Sequence, residues 1–240
     1  MRVSELEALT TYYRSLAKRN SAAGKCAMSV PASLEGKRVL DVCCRSGKGA
    51  YEISDHVGAG GFVMGVDADA ERIERARINA PANHAAGKDW ERSLSFRQAF
   101  PETIRESLSD EPTFDVVYIN SAINLAFSLV QTLREFRSVL SPTGYLWVAQ
   151  GIFSIDAVSS CDAEGSHWAL HGGGGDVADI AFANVFARAR SVDEFRSICQ
   201  DVGFADVRFG EAFHVVPDGR DALECLRGRN FVTCDVCAYR

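Results

Sequence analysis

The feature that most constrains the fold is a regular alternation of short apolar stretches with amphipathic ones. The stretch KRVLDVC (37–43) is rich in β-branched and apolar residues, as buried strands are, and apolar residues recur at helical spacing over residues 48–57. Repetition of this order predicts an α/β fold with a mainly parallel, doubly wound sheet. Further strands are predicted at 61–69, 94–100, 114–120 and 145–153, and helices at 3–19, 48–57, 70–78, 129–140 and 191–202.

The end of the sequence has a different pattern. Two β-rich stretches, 205–216 and 230–240, follow one another with no helical pattern between them, which predicts an antiparallel edge strand pair. Residues 154–190 are polar and small and include four consecutive glycines at 172–175, which favours a mobile lid over a packed element.

The chain is predicted to form one domain over residues 1–240. An N-terminal helix and approach segment occupy 1–36, a ligand-binding core 37–151, the lid 152–190, and a C-terminal helix with the edge strands 191–240.

Composition excludes several classes of partner. The net charge is -6 and Lys and Arg form no block, which argues against nucleic acid or an anionic membrane surface. No apolar run reaches the length of a membrane span, and the first residues lack the apolar core of a signal peptide. Eight cysteines without secretory features predict reduced thiols and a cytoplasmic protein.

Candidate ligand-binding residues follow the predicted parallel strands, because ligands of such sheets bind outside the carboxyl ends of the strands. Asp67 ends the second strand, 20 residues after Gly47, where a carboxylate can accept both ribose hydroxyls of a nucleoside. Its alternative role is a helix cap or turn residue. The other strand ends place Asp41, Phe100 with Glu102, and Asn120 in the same crevice.

The loop after the first strand is unusual. DVCCRSG (41–47) fits the pattern D-x-G-x-G-x-G, but Cys43 and Arg45 replace the first two glycines, while Gly47 and the nearby Gly49 remain. Asp41 and the missing G-x-G-x-x-G disfavour a nicotinamide enzyme.

Two longer stretches resemble a known family. INSAINLAFSLVQTLREFRSVLSPTGYLWVAQ (119–150) and CAMSVPASLEGKRVLDV (26–42) are similar to the arsenite methyltransferases, within the class I S-adenosylmethionine-dependent methyltransferases. The resemblance covers roughly residues 12–67, 94–150 and 191–240. It implies a Rossmann-like class I methyltransferase fold, with S-adenosylmethionine as cofactor and S-adenosylhomocysteine as product.

The resemblance also implies cofactor contacts. Arg45 could pair with the methionine carboxylate of the cofactor, because a guanidinium group matches a carboxylate. Alternatively, its side chain could fill the pocket and abolish binding, or Arg45 could simply be an exposed surface residue. The cofactor-binding candidates are Asp41, Cys43, Arg45, Gly47, Asp67, Ala68, Phe100, Glu102 and Asn120.

The arsenic site of that family is only partly matched. Cys26 stands at a family cysteine, Ser121 replaces a second one, and no cysteine lies near Val185, where a third is expected. Trivalent arsenic needs several converging thiolates, so we expect an organic acceptor. No metal site is predicted from His167 and His171 or from the C-x-x-C at Cys234. Candidates for lining the substrate pocket are Tyr12, Tyr13, Cys26, Ser121, Trp168 and His171, and no residue is assigned as catalytic.

The sequence therefore predicts a cytoplasmic methyltransferase that acts on a small molecule other than arsenite. The alternative is a degenerate methyltransferase-like subunit that binds a ligand or a partner without transferring methyl groups. Assembly as a homo-oligomer or a hetero-oligomer stays open.

Overall fold

A computed structural model describes residues 3–18, 28–83, 93–156, 185–217 and 226–240. In chain order, its elements are α1 (Val3–Lys18), β1 (Arg38–Val42), α2 (Lys48–Val57), β2 (Phe62–Asp67), α3 (Ala70–Asn83), β3 (Leu94–Gln98), a 3-10 turn (Pro101–Thr103), α4 (Ile104–Ser107), β4 (Phe114–Asn120), a second 3-10 turn (Ile123–Leu125), α5 (Leu129–Val139), β5 (Leu140–Ser154), α6 (Val192–Val202), β6 (Asp206–Phe209), β7 (Phe213–Val215) and β8 (Phe231–Tyr239).

The described strands form one sheet in the order β3-β2-β1-β4-β5-β8-β6, with β7 also paired to β8. Strands β1 to β5 are parallel, and β8 runs antiparallel to β5, β6 and β7. The strand order reverses between β1 and β4, so the crevice at their carboxyl ends is the expected ligand site.

The helices bury two separate cores, one on each face of the sheet. The core under α2 and α3 contains Val39 of β1, whereas the core under α5 and α6 contains its neighbours Leu40 and Val42. This alternation follows from the two-residue period of a strand. Asp41 therefore faces the α2 side, where an apolar residue would be expected.

Most of the predicted elements are present, with local differences. Helix α2 has the predicted bounds, and the C-terminal strands are antiparallel as expected. The predicted helix break at SPTG (141–144) is wrong in one respect: the structure continues β5 through it. Leu140 pairs with Phe114, and a register shift between Phe114 and Val116 absorbs the irregularity. Strand β8 lies inside the sheet and leaves β6 and β7 at the edge.

Among the described helices, none combines the length and the hydropathy that a membrane span requires.

Candidate active site

The loop after β1 keeps the backbone of a glycine-rich loop without its first two glycines. Cys43 and Arg45 have φ angles of 61° and 54°, in the left-handed region that glycine normally occupies. Such a conformation costs a non-glycine residue about 1–2 kcal/mol. The surrounding contacts hold both residues there, and this is typical of functional sites.

The third glycine cannot be replaced. Gly47 has a φ of 90° and precedes α2, and a Cβ on it would lie 2.6 Å from the phenol oxygen of Tyr51. That phenol donates to the carbonyl of Ala76 at 2.6 Å, so it is held in place. The N-terminus of α2 can therefore approach α3 only with glycine at this position.

Two more non-glycine residues in the left-handed region lie at the same edge of the sheet. Ser121 follows β4 with a φ of 53°, and Gln150 lies in β5 with a φ of 52°, within a register shift. In the described part of the chain, the non-glycine residues with a positive φ are these two together with Cys43 and Arg45. Backbone strain is thus concentrated around the predicted crevice.

Asp67 connects this loop to β2. Its carboxylate accepts the backbone N–H of Arg45 at 2.9 Å and, through its other oxygen, that of Asp69 at 2.9 Å. Burial raises the pKa of Asp67, while these two hydrogen bonds and the charge of Arg72 oppose the rise. Each carboxylate oxygen can accept two hydrogen bonds, so each still has a free lone pair.

The carboxyl of Asp41 has fewer hydrogen-bond partners than that of Asp67. It is only 3% exposed, and its Oδ2 is a buried atom with no hydrogen-bond partner among the described residues. Burial, helped by the charge of Asp67, raises the pKa of Asp41 to about 8. Asp41 is therefore a neutral carboxylic acid near pH 7.

A cleft of about 720 Å³ opens at the carboxyl ends of β1, β2 and β3, between α1 and α3. This volume is in the range of small-molecule sites. Arg45 lines it with an exposed side chain. Its guanidinium makes no hydrogen bond or ion pair with any residue that the structure describes. The other lining residues are Thr10, Tyr13, Arg14, Ser46, Ala68, Asp69, Ala70, Glu71, Arg72, Arg75, Gln98 and Phe100.

Helix α1 is attached to the site through Glu102. One oxygen of this buried carboxylate accepts hydrogen bonds from the Tyr13 hydroxyl at 3.0 Å, the Ser128 N–H at 3.2 Å and the Thr132 hydroxyl at 3.1 Å. Burial raises the pKa of Glu102, and these donors oppose the rise. The ring of Tyr13 also packs on Phe100 at 5.7 Å between centroids. Glu102 thus lies at the predicted place, with several donors already on its carboxylate.

A second set of contacts fixes the loop after β4. The Tyr12 hydroxyl donates to the carbonyl of Leu125 at 2.7 Å and accepts from the Arg188 guanidinium at 2.8 Å. Arg188 also donates to the carbonyl of Phe127 at 3.3 Å. Burial raises the pKa of Tyr12 to about 12. Asn124 donates to the carbonyls of Ile152 and Val185 at 2.8 and 3.1 Å, so residues 185–190 pack against this loop.

The structure brings most of the predicted residues to one edge of the sheet. Asn120 ends β4 and Ser121 follows it, and the Ser121 hydroxyl donates to the Asn120 side-chain oxygen at 3.0 Å. Cys26, Trp168, His171 and residues 157–184 of the predicted lid lie outside the described residues. Sequence reasoning missed Arg14, Asn124, Thr132 and Arg188, and only Asn124 gave a signal, as part of NSAIN.

The thiols near the crevice are protonated. Burial raises the pKa of Cys43 well above its usual value, and the carboxyls of Asp67 and Glu102 add to the effect. Burial likewise raises the pKa of Cys44. In the described ranges, no group of three or more His, Cys, Asp or Glu side chains is placed to hold a metal ion.

The raised pKa of Asp41 predicts an unusual dependence of stability on pH. The folded protein holds a proton on Asp41 that the unfolded chain releases near pH 4, so stability from this group is greatest below pH 4 and is lost as pH rises to about 8. The slope is at most about 1.4 kcal/mol per pH unit. Asp41→Asn should remove this slope, measured by urea unfolding between pH 5 and 9.

Asp201→Asn is the matched control, because Asp201 is exposed on α6 and its substitution should leave the slope intact. A slope that Asp41→Asn leaves unchanged would show that Asp41 is ionised in the folded protein.

Comparison with known proteins gives consistent matches. Residues 33–170 match the family described as "Methyltransferase domain". An arsenite methyltransferase of Aquipseudomonas alcaligenes is 35% identical over 122 residues, 51% of this chain and 35% of that protein. A demethylmenaquinone methyltransferase of Lactococcus lactis is 30% identical over 111 residues, 46% of this chain and 40% of that protein. The matched region thus spans little more than a third of these curated relatives.

A solved structure shares the fold. The arsenic(III) S-adenosylmethionine methyltransferase CrArsM of Chlamydomonas reinhardtii superposes with a TM-score of 0.71 at 24% identity, over 97% of this chain and 73% of that one. The predicted Rossmann-like class I methyltransferase fold and the resemblance to the arsenite methyltransferases are both confirmed. With more than half of its residues matched by the family, the chain belongs to the methyltransferase domain family.

Proposed function

We propose that this chain is an S-adenosylmethionine-dependent methyltransferase that acts on a small organic molecule. The observation that carries the proposal is the loop after β1, which keeps a glycine-like backbone at Cys43 and Arg45 although glycine is absent. Strain of this size persists where surrounding contacts and function maintain it. The family match and the name of the CrArsM structure support the choice of cofactor.

The residues present fit this cofactor. Asp67 has a free lone pair on each oxygen and lies at the end of β2, so it would accept the two ribose hydroxyls. Ala68 and Phe100 border the cleft beside it and would contact the adenine ring. The unpartnered guanidinium of Arg45 would bind the methionine carboxylate, because a guanidinium fork matches a carboxylate.

The cofactor would supply a methyl group on a sulfonium, and the protein's part is to align the acceptor and exclude water. Helix α1 can exclude water from the site, because two hydrogen bonds hold it there. The Tyr13 hydroxyl donates to Glu102, and the Tyr12 hydroxyl donates to the loop after β4. Asn120 and Ser121 would present polar groups to the acceptor. No dedicated base is needed for an acceptor that is already nucleophilic.

A small organic acceptor fits this site better than arsenite does. The thiols of Cys43, which is partly buried, and of Cys44, which is buried, are protonated, whereas a soft metalloid binds thiolates. Ser121 provides a hydroxyl where the arsenite methyltransferases have a cysteine, and a hydroxyl is a poor ligand for such a centre. Similarity to relatives named as demethylmenaquinone and 2-phytyl-1,4-naphtoquinone methyltransferases supports an organic acceptor. We further propose that the protein works in the cytoplasm.

Asp67→Asn tests the ribose contact. Asparagine keeps one oxygen for the Arg45 N–H but loses the charge and one acceptor, so S-adenosylhomocysteine should bind about 1–3 kcal/mol more weakly. Calorimetric titration measures the affinity, with Asp201→Asn as the control that should bind like the wild type. Unchanged affinity in Asp67→Asn would remove Asp67 from the site. If the wild type binds neither S-adenosylmethionine nor S-adenosylhomocysteine, the degenerate binding subunit becomes the better explanation.

Arg45→Gly tests the carboxylate contact. Glycine suits the left-handed backbone, so the loop should stay intact while S-adenosylhomocysteine binding weakens by about 1.5–3 kcal/mol. Binding of 5′-methylthioadenosine, which lacks the amino acid part, should not change. Arg105→Gln, exposed on α4, is the control. Tighter binding of S-adenosylhomocysteine by Arg45→Gly would instead show that the side chain fills the pocket.

Arsenite should not be methylated. The protein is incubated with arsenite, glutathione and S-adenosylmethionine, and methylarsenicals are sought by mass spectrometry. We expect none above the protein-free reaction, because one matching thiol, Cys26, cannot fix a three-coordinate arsenic. Multiple-turnover methylation that disappears in Cys26→Ser would contradict this prediction.

A further inference from the structure

Asp41 and Tyr118 are direct neighbours in the sheet. They are register partners in the parallel pair of β1 and β4, so their side chains leave the same face of the sheet. Both are buried, at 3% and 1% exposure. This face carries the core under α2, which includes Tyr118.

Each of the two side chains has one polar atom without a partner. Neither Asp41 Oδ2 nor the phenol oxygen of Tyr118 makes a hydrogen bond to any residue that the structure describes, and both atoms are inaccessible. An unsatisfied buried polar group destabilises the folded state, and native structures contain few of them. Two such groups on neighbouring strands therefore suggest that both contact the same polar partner.

The groups packed beside Asp41 are largely apolar. A Cβ added to Gly49 of α2 would lie 3.2 Å from Asp41 Oδ2 and 3.7 Å from the sulfur of Met28. On the β2 side, Gly65 has no side chain, and the ring of Phe96 and the Cys44 sulfur occupy its place. These neighbours give Asp41 Oδ2 no hydrogen-bond partner.

The charged groups around the pair do not satisfy these atoms. The negative charge of Asp67 on β2 disfavours ionisation of Asp41. The negative charges of Glu52 on α2 and Asp235 on β8 disfavour ionisation of Tyr118. The Asp235 carboxylate already accepts from the Ser29 hydroxyl and from the Gln150 N–H. The nearby thiols, Cys43 and Cys44, are protonated.

We propose that Tyr118 is a positioning residue, which holds the Asp41 carboxyl through one buried water between its phenol oxygen and Asp41 Oδ2. Such a water can accept a hydrogen bond from one of the two side chains and donate one to the other, and buried waters are retained by polar partners of this kind. Asp41 precedes Cys43 by two residues, so fixing its carboxyl fixes the start of the strained loop. That last step rests on the proposed function, because the loop is the proposed cofactor site.

Tyr118→Phe is the test, carried out on the protein without cofactor. The Asp41 carboxyl is followed by its ¹³C chemical shift from pH 5 to 10, and the melting temperature is measured over the same range. Loss of the phenol should move the Asp41 midpoint upward, because the ionised form loses more hydrogen bonding than the neutral form does. The melting temperature at pH 6 should fall by about 2–4 °C.

Tyr145→Phe is the matched control. Tyr145 packs against the same core from β5, and its ring stacks on Tyr239, 5.7 Å away between centroids, so its loss should leave the Asp41 midpoint unchanged. A Tyr118→Phe protein that melts at the same or a higher temperature with an unchanged Asp41 midpoint overturns the proposal, because it would show that the phenol has no partner to lose.

Two further measurements make the test independent of the variant's folding and of the cofactor. A high-resolution crystal structure of the wild type should show an ordered water between Asp41 Oδ2 and the Tyr118 oxygen, and empty density there overturns the proposal. If the wild type binds S-adenosylhomocysteine, Tyr118→Phe should weaken it several-fold and Tyr145→Phe should not. If it binds none, the proposed function fails while the titration still decides the role of Tyr118.

Discussion

The site depends on one hydrogen bond, from the Arg45 N–H to the Asp67 carboxylate. This bond joins the strained loop after β1 to the end of β2, and the Cys44 N–H adds a second link to the Val66 carbonyl at 3.0 Å. Together the two links offset the cost of left-handed backbone at non-glycine residues. Without them, Cys43 and Arg45 would relax to ordinary β or helical angles, and the entrance to the cleft would change shape.

Glu102 has a comparable role for the outer parts of the site. Its carboxylate accepts hydrogen bonds from Tyr13 of α1 and from Ser128 and Thr132 at the start of α5, so two separate helices share one buried group. Arg188 does the same from the opposite side by bridging Tyr12 and the Phe127 carbonyl. Both groups lie on irregular segments, and the sheet supplies the rigid base on which they act.

Local sequence patterns predicted the sheet and its helices, because the spacing of apolar residues along the sequence differs between a strand and a helix. The carboxylate of Asp67 was also predictable, since parallel strands bring their carboxyl ends to one edge. The contacts of Arg188 were not, because Tyr12 lies 176 residues away in the sequence. The left-handed angles of Cys43 and Arg45 were unpredictable for a different reason: neither residue type favours them, and only tertiary contacts impose them.

The position of β8 determines when this fold can be completed during synthesis. It is the last described strand in sequence order, yet it lies inside the sheet between β5 and the edge strands β6 and β7. Before β8 is made, a nascent chain exposes the backbone N–H and C=O groups along one edge of β5, because no other described strand pairs with that edge. The nascent chain should be most prone to edge-to-edge association after β5 has been made and before β8 can pair with it. This period should end when the Cys234–Ala238 stretch leaves the ribosome.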